Sequence, residues 1–469
     1  MAIVNDAYIK ALLKTVYLKG VFNNKYQNSP ILHDIAKESW AGGKEIKYAA
    51  QYGNGGNFGS NYGLVATNQT GGVRNLEWAM EPGYVFGLFN IDQPEILSTA
   101  EERGAYMGAI ENKMAACFDG LSKTIATYLY GGKAGVIDQF KEGMTLVATG
   151  NKAKITSAGA IKLDLGSRFV IATAGADDTA VPTSPLLANT ICTVTAIDDE
   201  EITFNASTAG GEVYKGDYIE LYTARTGNSY TGIEGLADIL PSFADRSGTA
   251  WDTYIATDFR GVDRSQAVSR LAGQFVKAES TGDTRLTDAL VSLLKKTKRA
   301  GGINDIIVIN DETFSAISTE LGLQRNLWQA TNGGVAEKQK ATGGLNALGV
   351  AFEDAFINRT VVDPYCPEGT AYMFEKDDLK LYDMGNVSKA LDPVANDSMG
   401  KHDIESVGSA GFGDKIASEI NVDKLFTVVP NGNAANADNV FGPSLTVSAN
   451  VYANFLLRRT ASAGVASLK

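Results

Sequence analysis

An α+β fold is predicted for this 469-residue chain, and three observations carry the prediction. Ile110, Met114, Phe118, Leu121, Ile125 and Leu129 recur at steps of three and four, the spacing of one helix face. From about Lys141 to Gly232 that period vanishes and short apolar alternations take over, among them RFVIAT, ICTVTAI and EITFNA, separated by turn signals such as IDDEE. After it a helix, a strand and a second helix follow one another, with strands on either side, which suggests α+β rather than a doubly wound sheet.

The chain begins with an amphipathic segment from Asn5 to Leu18, where Ile9, Leu12, Leu13 and Val16 share one helical face and Asn5 or Asp6 supplies the N-cap. From Ala41 to Asn90 Gly and Asn dominate, and Tyr48, Tyr52, Phe58, Tyr62, Trp78, Tyr84 and Phe86 are scattered without helical period. A stretch of this kind buries no core of its own and is read as a long two-stranded excursion. The helix that follows is capped near Ser98 or Thr99, carries Glu101 and Glu102 in its first turn and ends at Gly131-Gly132. At 1.5 Å per residue it extends for roughly 45 Å.

Within the β-rich stretch, Gly216-Asp217 marks a turn between two alternations of EVYKGDYIELY. Leu286, Leu290, Leu293 and Leu294 then make a helix face from about Asp283 to Arg299, stopped by Gly301-Gly302. Ile306 to Ile309 read as a buried strand, and Asn310 or Asp311 caps a further helix carrying Phe314, Ile317 and Leu321. From about Lys401 the pattern alternates again and ends as a strand near Leu445 to Leu457.

Composition narrows the function. Hydrophobic residues make up 44% and charged residues 20%, the balance of a globular chain. No apolar run approaches the ~20 residues that span a bilayer, and the N-terminus lacks the apolar core of a signal peptide, so a soluble, cytoplasmically made protein is expected. A net charge of −12 disfavours tight, non-specific duplex binding, which needs clustered cations. Cys117, Cys192 and Cys366 are odd in number and widely spaced, which fits unpaired thiols in a reducing compartment.

Motifs of catalysis are not found. His33 and His402 have no second ligand at zinc spacing, and the 50 glycines contain no phosphate-binding loop; GSAGFG from Gly408 lacks the right offsets. The acidic clusters Asp198–Glu201 and Asp377-Asp378 fall in turns between strands, where solvation explains them. The basic run Lys295 to Arg299 closes a helix, where cations complement the dipole.

Three stretches carry a resemblance when taken with the Gly-rich loop and the long helix: GGINDIIVINDETFSAI (Gly301–Ile317), VVDPYCPEGTAYMFEKDDLKLYDMG (Val361–Gly385) and NVYANFLLRRTASAGVASL from Asn450. Together they resemble the major capsid proteins of tailed bacteriophages, the Hong Kong 97-type capsid fold. The resemblance implies an N-terminal arm (1–40), an extended loop (41–97), a spine helix with the start of the peripheral domain (98–140) and an inserted β domain (141–232). Peripheral (233–282) and axial (283–400) domains and a peripheral return (401–469) complete it.

It further implies a structural protein without catalytic, cofactor or metal sites, assembled in a host bacterial cytoplasm and resident in the virion. Such a subunit forms hexamers and pentamers of an icosahedral head and encloses double-stranded DNA without sequence-specific binding. Its partners are other copies of itself, a separate scaffolding protein, a portal and decoration proteins, and no membrane. Tyr52, Phe58, Tyr62 and Trp78 of the extended loop are the expected intersubunit contacts, because aromatic anchors bury large area at low entropy cost. A nanocompartment shell of the same fold, or a β-rich surface enzyme or adhesin, is the alternative.

Overall fold

The computed structural model describes residues 29–40, 44–53, 58–67, 73–92, 109–172, 190–226, 229–240, 254–278, 286–303, 306–320, 359–384, 426–430 and 444–468. The expected helix from Asn5 to Leu18, the cap at Ser98 or Thr99, Leu321, and the region around His402 and Gly408 lie outside them. Two compact units are present: residues 1–27, 86–120 and 393–450 in one, and 28–85, 121–392 and 451–469 in the other. In the first, Phe426–Pro430 pairs antiparallel with Leu445 to Ala449 of the strand Ser444–Leu457.

The second unit holds most of the described chain. Its β-rich part is a six-stranded sheet, in spatial order Val136–Gln139, Tyr218–Leu221, Arg168–Ala172, Cys192–Asp198, Glu201–Ala206 and Asn151–Lys154. Strand alternation puts every second residue inward, so Ala153, Ile202 and Phe204 are buried while Lys152 and Lys154 face water. Phe140, Phe169, Ile171, Val194, Ile202, Phe204 and Ile219 share one core, with Phe169 and Phe204 edge to face at 5.1 Å. The Gly216 turn forms as expected, with φ +90° and Asp217 Oδ2 accepting from Tyr214 N at 2.8 Å.

One boundary differs from the sequence reading. Val136–Gln139, placed with the spine segment, is hydrogen-bonded to Tyr218–Leu221 and donates Ile137 to the β core. Asp138 accepts from Thr156 N and Oγ1 at 2.5 and 2.8 Å, and the buried Lys162 donates to Ile137 O at 3.0 Å. These bonds tie the helix Ser157–Lys162, capped by Thr156, to that strand. An excised fragment 134–226 is therefore expected to fold, whereas one started at Lys141 loses Ile137 and Phe140 from its core, at about 2–5 kcal/mol each. Cooperative thermal unfolding of the first fragment alone is the check.

A second sheet is mixed, ordered Gln274–Lys277, Gly464–Ser467, Thr370–Phe374, Ile306–Ile309, Arg359–Val362. Ile306–Ile309 lies between two neighbours and is buried along its whole length, which explains its unbroken apolar run. The helix Leu286–Arg299 sets Leu290, Leu293 and Leu294 against Ile307, Ile309 and Met373. Asn310 caps the helix at residues 311–320, its Oδ1 accepting from Glu312 N at 2.8 Å. Strands drawn from segments 233–282, 283–400 and 401–469 thus share one sheet.

The long helix runs through Ala109–Gly131, and Leu121, Ile125 and Leu129 of the expected face are buried. It stops where expected: Gly132 takes φ +66° and its N–H bonds to Tyr128 O at 2.9 Å. The loop that follows it in space is packed without room for a side chain, since a Cβ on Gly235 would stand 1.9 Å from Tyr128 O. Among the described residues no helix is long and apolar enough to cross a membrane.

Candidate functional site

Within residues 41–97 the described chain forms a hairpin, Ile46–Gly53 antiparallel to Arg74–Met80 with Tyr48 opposite Trp78. Period-2 alternation places Ile46, Tyr48, Ala50 and Tyr52 on one face of it, with Leu76, Trp78 and Met80 beside them. That face is covered by the chain itself. Trp78 is 3% exposed, stacked on Tyr48 at 6.2 Å and edge-on to Phe259 at 6.0 Å, and it packs with Val262 and Leu271.

The four expected contact residues therefore separate. Trp78 is a core residue here, a correction to its expected role, and Tyr52 lies half-buried against the same cluster. Phe58 and Tyr62 sit beyond the paired strands and are 82% and 85% exposed. Leu64 and Val73, which the sequence reading passed over because they are not aromatic, are exposed with them.

The base of the hairpin is anchored by a buried polar network centred on Arg260. Phe259 and Val262 bridge around a turn in which Arg260 and Gly261 both take positive φ, +53° and +79°, the signature that normally selects Asn-Gly. A left-handed Arg costs on the order of 1–2 kcal/mol, so its surroundings must hold it. They do: Nε donates to Glu234 Oε2 at 2.7 Å, one terminal nitrogen to Phe455 O at 2.6 Å and the other to Tyr48 OH at 3.2 Å. Its carbonyl accepts from Ala79 N at 3.0 Å, so both strands of the hairpin are tied to this one residue.

Lys133 Nζ completes Glu234 at 2.8 Å, and Asn454 donates to Glu234 and to Glu81 O. Burial opposes ionisation of Glu234, but Arg260 and Lys133 outweigh it and hold the carboxyl below its usual range. Asp238 behaves oppositely: burial, reinforced by Glu234, pushes it up to about 6, although it accepts from Lys133 N at 2.7 Å and Gly235 N at 3.1 Å.

A carboxyl with a folded pKa near 6 and an unfolded value of 3.8 takes up a proton on folding between those limits. Asp238 therefore favours the folded state most below pH 4, and its contribution falls as pH rises to about 6. The loss approaches 3 kcal/mol, reduced where water reaches its partly exposed side. Asp238→Asn should flatten that slope, seen as a wild-type-minus-variant difference in denaturant midpoints across pH 4–7; parallel curves would contradict it.

Elsewhere the clusters flagged by sequence are neutralised or solvated. Glu200 pairs with Lys141 at 3.1 Å, Glu201 with Lys152 at 2.7 Å, and Asp378 with Arg459 at 2.8 Å. Lys296 of the basic run donates to Phe275 O at 2.7 Å. Among the described residues no three His, Cys, Asp or Glu side chains converge as a metal site would require.

No protein-family model matches the sequence, and no curated protein matches it. Among solved structures, a chain of the Cyanophage A-1(L) capsid asymmetric unit is similar over 99% of both chains, with 14% identity and a TM-score of 0.51. A chain from the capsid of the native GTA particle covers 99% of each at 9% identity and TM-score 0.47, and one from Mycobacterium phage Ogopogo covers 99% of each at 8% and 0.43. The chain has a phage capsid protein fold, an assignment that rests on the first of these likenesses.

Proposed function

We propose that this chain is a major capsid protein of the Hong Kong 97 type, forming the hexamers and pentamers of an icosahedral phage head around double-stranded DNA. The observation that supports it is likeness of fold to a cyanophage capsid chain from end to end, 99% of both chains. In this reading the hairpin is the extended loop and Ala109–Gly131 belongs to the spine helix. The exposed tip residues Phe58 and Tyr62 meet a neighbouring subunit, since large apolar side chains held in water gain most by burial.

The six-stranded sheet with its own core is the inserted domain, on the outer face of the shell, where an addition disturbs curvature least and can seat a decoration protein. A separate scaffolding protein and a portal complete the assembly, and a charge of −12 lets the wall enclose DNA without gripping it. Sedimentation of the purified protein, alone and with its scaffold, tests the reading. Capsomers or larger particles are expected; a monomer that persists at high concentration with scaffold present would sink it.

A further inference from the structure

Between the covered face of the hairpin and the end of the helix Leu286–Arg299 lies a cleft of about 960 Å³, at the large end of the roughly 300–1,000 Å³ typical of ligand clefts. Its lining includes Arg270, Lys296, Arg299, Arg458 and Arg459 and no acidic residue. Arg459 is held by Asp378 and Glu375, Lys296 by the Phe275 carbonyl, and Arg458 stands 3.9 Å from Glu38. Arg270 and Arg299 are exposed and have no acidic partner among the described residues. In a chain of net charge −12, two guanidiniums without an acidic partner in a recess lined by no carboxylate call for an anion from outside.

The chain carries one run of four acidic residues, Asp198–Glu201. It forms the tip of the hairpin between Cys192–Asp198 and Glu201–Ala206, with Asp199 at φ +49°. Lys141 and Lys152 pair with Glu200 and Glu201, and Lys152 also attracts Asp198, while Asp199 is exposed with no cation beside it among the described residues. Four carboxylates against Lys141 and Lys152 leave the turn negative, as Arg270 and Arg299 leave the cleft positive.

We propose that the basic cleft receives the acidic turn Asp198–Glu201 of a second copy of this chain, an inference that rests on the shell reading. A hairpin tip is slender enough to enter a recess, whereas a duplex presents its phosphates on a broad convex rod. Cleft and turn are different surfaces of one chain, so the contact is heterologous, the kind that closes copies into rings. Guanidinium forks match carboxylates geometrically as well as in charge.

A synthetic peptide of residues 195–204, titrated calorimetrically into the full-length subunit, reads the cleft whether or not shells form. Binding that weakens with salt is expected, with a loss of roughly tenfold or more in Arg270→Glu/Arg299→Glu. An unchanged thermal transition shows that this variant folds, and Arg270→Gln/Arg299→Gln should give a smaller loss in the same direction. In assembly, the Glu pair should fail, and adding Asp198→Lys/Asp199→Lys should restore it. Absence of binding, equal binding by wild type and the Glu variant, or preference for a duplex oligonucleotide overturns the proposal. A wild type that binds the peptide yet forms no particle removes the shell reading and leaves the cleft an acidic-peptide site; particles that tolerate both charge reversals remove the cleft contact alone.

Discussion

Arg260→Ala is expected to destabilise the chain by about 3–5 kcal/mol, the range for removing one partner of a buried ion pair. The Arg260 side chain is 2% exposed and that of Glu234 9%, so solvent replaces little of what is lost. The substitution strands Glu234 with only Lys133 and Asn454, frees Phe455 O and Tyr48 OH, and leaves a left-handed backbone held by main-chain bonds alone. Arg260→Lys should recover little, since a single ammonium cannot reach three acceptors set around a planar fork. Glu234→Leu combined with Arg260→Met should cost less than the sum of the singles, because both charges then leave the interior together. Chemical denaturation of Arg260→Ala, Arg260→Lys, the two singles Glu234→Leu and Arg260→Met, and their combination measures this; additive losses, or a loss below about 1 kcal/mol for Arg260→Ala, would contradict the anchoring role.

Replacing residues 54–73 by Asn-Gly, a two-residue hairpin turn, should have the largest effect on assembly and a small one on folding. The paired strands end at the Gly53–Arg74 position, so the ladder, the Tyr48–Trp78 stack and the Arg260 anchor all survive the replacement. What disappears is the tip with Phe58, Tyr62 and Leu64, each more than half exposed. The shortened subunit should unfold at nearly the wild-type temperature and yet fail to form stable particles. Particles of unchanged thermal stability would show that the tip clamps nothing. Phe58→Ser with Tyr62→Ser should reproduce much of the defect, placing the effect in the apolar side chains rather than in the length of the loop.

How much of this was readable in the sequence depends on the range of the forces involved. Local signals were reliable: the Gly131-Gly132 stop, the Asn310 cap and the Gly216 turn each rest on conformations set within four residues. The period-2 pattern of the hairpin was readable too, but alternation says only that Tyr48 and Trp78 share a face. Whether that face is covered depends on Val262 and Leu271, distant in sequence, and so Trp78 read as a contact when it is a core residue.

The Arg260 network was invisible for the same reason, since Tyr48 and Arg260 are 212 residues apart. One clue lay in plain view: Arg-Gly between apolar residues is the spacing of a two-residue hairpin turn, and an Arg forced into that conformation signals local compensation. Val136–Gln139 was missed because a four-residue strand directly after a helix stop carries too few positions to show a period.

Electron microscopy of the purified full-length protein, with scaffold if one is needed, tests the central claim that this chain is the wall of a shell. Closed particles built of five- and six-fold capsomers, with density for the tip at residues 58–67 lying on a neighbouring subunit, are predicted. Discrete monomers or small oligomers under every such condition would contradict it.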